Sequence, residues 1–83
     1  MQEIWIRLSS TKDVQRFVST LVPLPGDFEL VSEQCVLDAR SLMGIFGFDL
    51  SRPLCLRVYQ SIPKTLTALN PFLANREDEY HEQ

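Results

Sequence analysis

The sequence has few of the residue types from which catalytic and metal sites are commonly built. One histidine, His81, and two cysteines, Cys35 and Cys55, stand among its 83 residues. Two distant cysteines with no neighbouring histidine supply neither a zinc site nor a disulfide framework. We expect two buried or half-buried free thiols, with a redox pair as the lesser alternative. No nucleophile–base pair and no paired carboxylates stand out, so the sequence predicts no enzymatic activity, no metal and no cofactor.

Long apolar runs and basic clusters are also missing. Nothing approaches the roughly 18 apolar residues of a membrane span, and the N-terminal stretch MQEIWIRLSS carries Glu3 and lacks the apolar centre of a signal peptide. The formal net charge is -3, and basic residues do not alternate with aromatic ones. This balance disfavours nucleic acid and anionic membranes as partners. The sequence therefore predicts a soluble, cytoplasmic protein.

The apolar pattern predicts four strands and three helices in the order β-α-β-β-α-β-α. Strict alternation marks the strands, and apolar residues spaced three or four apart mark the helices. Ser10 with Asp13 forms a variant of the capping box before the first helix. The predicted strands cover about residues 3–8, 27–30, 35–39 and 54–59, and the predicted helices about 14–21, 42–46 and 62–73.

The last predicted helix carries two further signals. Pro63 lies in its first turn, where a missing N–H costs little, and Pro71 should loosen its last turn. The apolar stripe that we expect to face the core consists of Ile62, Leu66, Leu69 and either Phe72 or Leu73.

Each predicted strand has one apolar face and each long helix one apolar stripe, which indicates an α+β domain with helices on one side of an antiparallel sheet. This domain should span residues 1–74, followed by a charged, frayed tail at 75–83. The other sheet face is either solvent-exposed or a contact surface, so the protein is a monomer or a homodimer. That face should carry Trp5, Arg7, Glu29, Arg57 and Tyr59. Ferredoxin-like folds begin with the same elements, and periodicity does not separate the two topologies.

The segment from Asp38 to Gly47 resembles the regulatory-serine motif of the HPr family, the histidine-containing phosphocarriers of the bacterial sugar phosphotransferase system. In that family a Lys-Ser-Ile-Met-Gly core opens the short second helix. Ser41, Met43 and Gly44 match, while Arg40 stands for Lys and Leu42 for Ile. The element order, the length and the strand from Asp27 to Leu30 match as well, over about residues 3–73. The resemblance implies an open-faced sandwich with sheet order 1-4-2-3, whereas a ferredoxin-like sheet runs 4-1-3-2.

The chain departs from this family at the phosphate carrier itself. A Gly-x-His-Ala-Arg-Pro motif is typical of the family, before the first helix; aligned without gaps from Ser41, it places Ser10 at the His, Lys12 at the Arg and Asp13 at the Pro. A phosphoserine ester is too stable to pass its phosphoryl group on, and His81 lies in the tail. The resemblance therefore implies a family member without carrier activity.

Three candidate sites remain. Ser41 precedes a helix, where its hydroxyl is either a plain N-cap or, as the family implies, the target of a regulatory serine kinase. Leu42, Met43 and Phe46 are either core residues together with Ile45 or, as the resemblance implies, an exposed patch that docks partners. A flexible Met beside an aromatic suits a contact surface, and we expect Met43 and Phe46 to be the exposed pair. Lys12 is either a solvated charge or part of a remnant anion and partner site.

These features favour a regulatory or adaptor protein that binds a protein partner through the Ser41 helix. The expected partner is a regulator, a kinase or a component of the phosphotransferase system. The alternative is a small ferredoxin-like module that dimerises or senses a ligand.

Overall fold

The computed structural model describes residues 1–33, 35–60 and 62–74. The expected tail, 75–83, lies outside the described residues. Strands and helices follow one another as the sequence predicts. They are β1 (Gln2–Ile6), α1 (Thr11–Leu21), β2 (Phe28–Ser32), β3 (Cys35–Asp38), α2 (Leu42–Ile45), β4 (Leu54–Val58), α3 (Pro63–Leu69) and a final 3₁₀ turn, Asn70–Phe72.

The four strands form one antiparallel sheet in the order β1-β4-β2-β3. This order confirms the topology that the HPr resemblance implies, and the ferredoxin-like topology is wrong. The central strand β4 pairs with both β1 and β2, so that Trp5 lies opposite Cys55 and Val31 lies on the other side of Cys55.

The core lies between one sheet face and the helices. Leu30, Leu56 and Val58 are fully buried on that face. They belong to one apolar cluster with the inward stripes of the helices, as expected for an α+β sandwich. The helical members of this cluster are Val14, Phe17, Leu21, Ile45 and Leu69, joined by Phe72 of the 3₁₀ turn.

The first helix begins with a capped turn that differs from the predicted capping box. Ser10 is the N-cap, and its Oγ accepts a hydrogen bond from the Asp13 N–H at 3.1 Å. The Asp13 carboxylate does not return to Ser10. Its Oδ2 accepts instead from Ser9, from the backbone N–H at 3.0 Å and from the hydroxyl at 3.2 Å. The carboxylate thus orders the residue before the cap and adds negative charge in the first turn, which the helix dipole favours.

The last helix is shorter than predicted, and its buried face is shifted by one residue. It ends at Leu69, after which Pro71 sits in the 3₁₀ turn, consistent with the loosening expected of a proline. Thr65 is fully buried, while Ile62 is exposed and Leu66 only half-buried. The predicted core-facing stripe is therefore wrong for Ile62 and Leu66. The helix is rotated so that Thr65 and Leu69 face the core.

Arg40 ties three parts of the chain together just before α2. Its guanidinium donates to three backbone carbonyls, from Nε to Leu21 at 3.1 Å, from Nη2 to Leu24 at 2.6 Å and from Nη1 to Gly26 at 3.1 Å. The guanidinium carbon also lies 4.9 Å from the centre of the Phe28 ring. The last turn of α1 contains no basic residue of its own, so Arg40 supplies the cation that a helix C-terminus favours.

The chain returns to the free edge of β1 after the 3₁₀ turn. The Arg7 N–H donates to the Phe72 carbonyl at 2.8 Å, and the Ala74 N–H donates to the Trp5 carbonyl at 2.9 Å. This short pairing covers one end of the outer edge of β1. Of the helices in the described part of the chain, none has the length and apolar character to cross a membrane.

Candidate functional site

The short helix α2 presents an apolar surface to solvent. Met43 is 80% exposed and Phe46 is 38% exposed, while Leu42 is half-buried and Ile45 is fully buried in the core. This confirms the expectation that Met43 and Phe46 are the exposed pair. We call Leu42, Met43 and Phe46 the α2 patch. A flexible thioether beside an aromatic ring gives an adaptable contact surface.

Ser41 lies at the edge of this patch with a hydroxyl that does not cap the helix. Its backbone carbonyl accepts from the Ile45 N–H at 3.0 Å, but its side chain makes no capping hydrogen bond. Ser41 is therefore the N-cap residue of α2, as one of the two interpretations predicts, but it does not form the side-chain hydrogen bond of a cap. A Cβ on Gly44 would lie 2.9 Å from the Ser41 Oγ and 3.1 Å from Leu37 Cδ2, so glycine leaves the room that the serine side chain occupies.

The N-terminus of α1 holds Ser10 as a cap and carries a carboxylate beside it. Ser10 and Lys12 are both exposed. Asp13 already accepts the Ser9 N–H and hydroxyl. Because the Ser9 N–H and hydroxyl already donate to this carboxylate, they are not free to bind a phosphate. The negative charge of Asp13 also repels a phosphate group. Ser9 and Asp13 line a cavity of about 240 Å³ together with Arg7 and Arg16.

The sheet face opposite the helices carries a network of ion pairs. Sequence periodicity predicts some members of this network on that face, but not all of them. Arg57 Nε lies 3.2 Å from Glu3 Oε2, and its Nη1 lies 3.8 Å from Glu29 Oε1. The Tyr59 hydroxyl donates to the same Glu29 carboxylate, and this hydrogen bond raises the pKa of Tyr59. Trp5 is 49% exposed beside this network. Arg7, which the sequence pattern predicts on this face, lies past the end of β1 and lines the cavity of about 240 Å³ at the start of α1.

The two cysteines differ in environment and point to opposite faces of the sheet. Cys55 is buried, and this burial raises the pKa of its thiol. Cys35 is exposed, so the expectation of two buried or half-buried thiols was wrong for Cys35. It is exposed because it begins the edge strand β3 next to the turn at Glu33. Cys55 shares a face with Val31, and Cys35 shares the other face with Ser32, since directly paired residues lie on one face.

A groove of about 620 Å³ opens at the end of the sheet next to α2, and sequence reasoning missed it. Four separate segments line it, namely Trp5, the β2–β3 hairpin, the loop that follows α2 and the start of β4. No single stretch of sequence contains these walls, so no local pattern announces the groove. Its volume lies within the range of small-molecule pockets.

Comparisons of the chain with protein-family models, with curated proteins and with solved structures found no match.

Proposed function

We propose that this chain is an HPr-like regulatory or adaptor protein of the cytoplasm, which catalyses nothing and binds a protein partner through the α2 patch. The observation that carries the proposal is the exposure of Met43, at 80%, on a one-turn helix that otherwise anchors in the core through Ile45. The exposed thioether lies next to Phe46, and water forms no strong interactions with either apolar side chain. Burial of both side chains against a partner is therefore favourable.

Two features support an HPr-like protein that no longer carries phosphate. The sheet order 1-4-2-3 is the order that the resemblance implies. At the start of α1 the hydroxyl of Ser10 accepts the Asp13 N–H, and the Asp13 carboxylate accepts two hydrogen bonds from Ser9. A carrier needs an imidazole at this place, and it also needs donors that are free for the phosphoryl oxygens.

Phosphorylation of Ser41 is the proposed control of partner binding. The Ser41 residue is exposed and its hydroxyl is not used as a cap, so a kinase does not have to break a capping bond to reach it. A phosphate there adds between one and two negative charges at the edge of the α2 patch. Because α2 has only four residues, the helix dipole contributes little, and the main effect is on the charge that a partner meets.

The test compares partner capture by three forms of the protein. Met43→Ser removes most of the exposed apolar area of the α2 patch. Val22→Ser is the matched control, because Val22 is also a large exposed apolar residue, at 63%, but lies at the C-terminal end of α1. Each protein is immobilised and incubated with lysate from its native source, and the retained proteins are identified by mass spectrometry.

The expected result is a partner retained by the natural protein and by Val22→Ser and lost with Met43→Ser, while the melting temperatures of all three agree within a few degrees. Equal retention by Met43→Ser contradicts the proposal. A large fall in its melting temperature also contradicts it, because Met43 would then contribute to the core.

A further inference from the structure

The groove at the end of the sheet has apolar walls and a charged rim. The apolar walls come from Trp5, Val31, Phe48, Pro53 and Leu54. Two of them are aromatic, and an aromatic or aliphatic side chain that enters such a groove loses its contact with water, which is favourable. The groove therefore suits an apolar anchor.

The rim carries more negative than positive charge. Glu33, Asp49 and Arg52 line it, and the Arg52 Nη1 lies 3.8 Å from Glu33 Oε1. The Ser51 hydroxyl and N–H both donate to the Asp49 carboxylate, at 2.6 and 3.0 Å. These hydrogen bonds and the nearby Arg52 lower the pKa of Asp49, which keeps it ionised. One guanidinium thus faces two carboxylates, and the remaining field attracts a cation.

The groove is open rather than enclosed. The side chains of Arg52 and Glu33 are 74% and 82% exposed, and Cys35, Gly47 and Asp49 on its rim are exposed as well. A pocket for a small molecule typically buries most of its ligand, whereas an open groove accommodates an extended chain that enters at one end and leaves at the other.

The groove also continues the α2 patch along the chain. Phe46 belongs to the patch, and the next two residues, Gly47 and Phe48, line the groove. A partner that contacts Phe46 therefore reaches the groove within a few residues of extended chain, since each adds roughly 3.3 Å.

We propose that the groove binds an extended segment of the partner protein in which an aromatic or large aliphatic anchor stands beside a lysine or arginine. This inference rests on the proposed function, because it lengthens the docking surface of the α2 patch. The anchor occupies the space between Trp5 and Phe48, and the basic side chain meets the carboxylates of Glu33 and Asp49.

Short blocked peptides test the groove without any knowledge of the partner. The probes are Lys-Ala-Phe-Ala-Lys, the same peptide with both lysines replaced by glutamate, and Lys-Ala-Ala-Ala-Lys, which lacks the anchor. Each is titrated into the isotopically labelled protein to about 10 mM at low salt, so that dissociation constants in the millimolar range can be measured. The signals followed are the backbone amides and the indole N–H of Trp5, the only tryptophan in the chain.

The first peptide should shift the indole N–H of Trp5 and the backbone amides of residues 31–33, 47–49, 52, 54 and 55. Its affinity should exceed that of the glutamate peptide about thirty-fold, because the exchange of lysine for glutamate turns one attraction at contact distance in water into an equal repulsion, and that of the anchorless peptide at least about ten-fold. Absence of a Trp5 shift, shifts centred elsewhere, or equal affinity of the glutamate peptide would overturn the proposal.

Variants separate the groove from the α2 patch. Glu33→Gln should lower the affinity of the lysine peptide about five-fold, whereas Asp27→Asn, which removes the same charge from the opposite end of β2, should leave it unchanged. Met43→Ser should also leave peptide binding unchanged. A groove that binds no peptide therefore refutes this inference alone, and partner capture that ignores Met43 refutes the proposed function alone. Equal losses with Glu33→Gln and Asp27→Asn would show a general effect of net charge and would overturn the rim assignment.

Discussion

Replacement of Arg40 should destabilise the protein more than that of other arginines, because its guanidinium holds three backbone carbonyls from two chain segments. Hydrogen bonds to a charged donor contribute about 1.5–3 kcal/mol each, and the stack on Phe28 adds about 0.5–1 kcal/mol. The sum of these contributions overestimates the loss of stability, because the three hydrogen bonds share one side chain and the site is only part-buried. We expect Arg40→Met to lower the free energy of unfolding by about 3 kcal/mol.

Arg40→Lys separates charge from geometry. An ammonium keeps the positive charge near the end of α1, but it is a compact group that does not reproduce the planar fork of a guanidinium. It should retain about half of the stabilisation, so its loss should be about 1.5 kcal/mol. The matched control is Arg16→Met, since Arg16 is an exposed residue of α1 whose loss should cost less than about 0.5 kcal/mol.

Urea denaturation followed by the fluorescence of Trp5 and by far-ultraviolet circular dichroism measures these losses. A domain of this size has only about 5–10 kcal/mol of stability in total, and 1 kcal/mol corresponds to about 4–8 °C in melting temperature. Arg40→Met should therefore melt roughly 15 °C below the natural protein. A loss below about 1 kcal/mol, or equal losses in Arg40→Met and Arg16→Met, would refute the assignment of Arg40 as a clamp.

Three further measurements test the buried groups Thr65 and Cys55. Thr65 is fully buried, and its hydroxyl has no hydrogen-bond partner within the described ranges, so Thr65→Val should raise the free energy of unfolding by about 1 kcal/mol in urea denaturation; a decrease would show that the hydroxyl is satisfied in solution. A chromogenic disulfide reagent at pH 8 should modify Cys35 at least about 100-fold faster than Cys55, because Cys55 is buried with a raised thiol pKa; equal rates would contradict this burial. The folded state disfavours the Cys55 thiolate, whereas the unfolded state does not. The free energy of unfolding should therefore fall as the pH rises through 9.0, the ordinary pKa of this thiol.

The sequence predicts the sandwich well because alternation and helical spacing report which face of each element is buried. Leu30 and Leu56 are recognisable in this way, and both are fully buried. The rotation of α3 escapes the pattern, because Thr65 is polar while Ile62 and Leu66 are apolar, and hydropathy alone assigns the wrong pair to the core. Packing against the sheet settles the rotation, and a single helix does not contain that information.

The candidate site was predictable only where one segment contains it. The α2 patch lies within five consecutive residues, so the exposed pair Met43 and Phe46 could be anticipated. The clamp formed by Arg40 depends on carbonyls at Leu21, Leu24 and Gly26, and carbonyls have no signature in a sequence. The groove depends on four segments that come together only after the sheet has formed. The net charge of its rim depends on the same arrangement, so no local sequence pattern reports it.

The hydrogen bond from the Ala74 N–H to the Trp5 carbonyl, at 2.9 Å, places residue 74 beside the first strand. Trp5 is three residues from the start of β1 at Gln2, which is roughly 10 Å of extended chain. A circularly permuted version of residues 2–74 therefore needs no more than a short linker between Ala74 and Gln2.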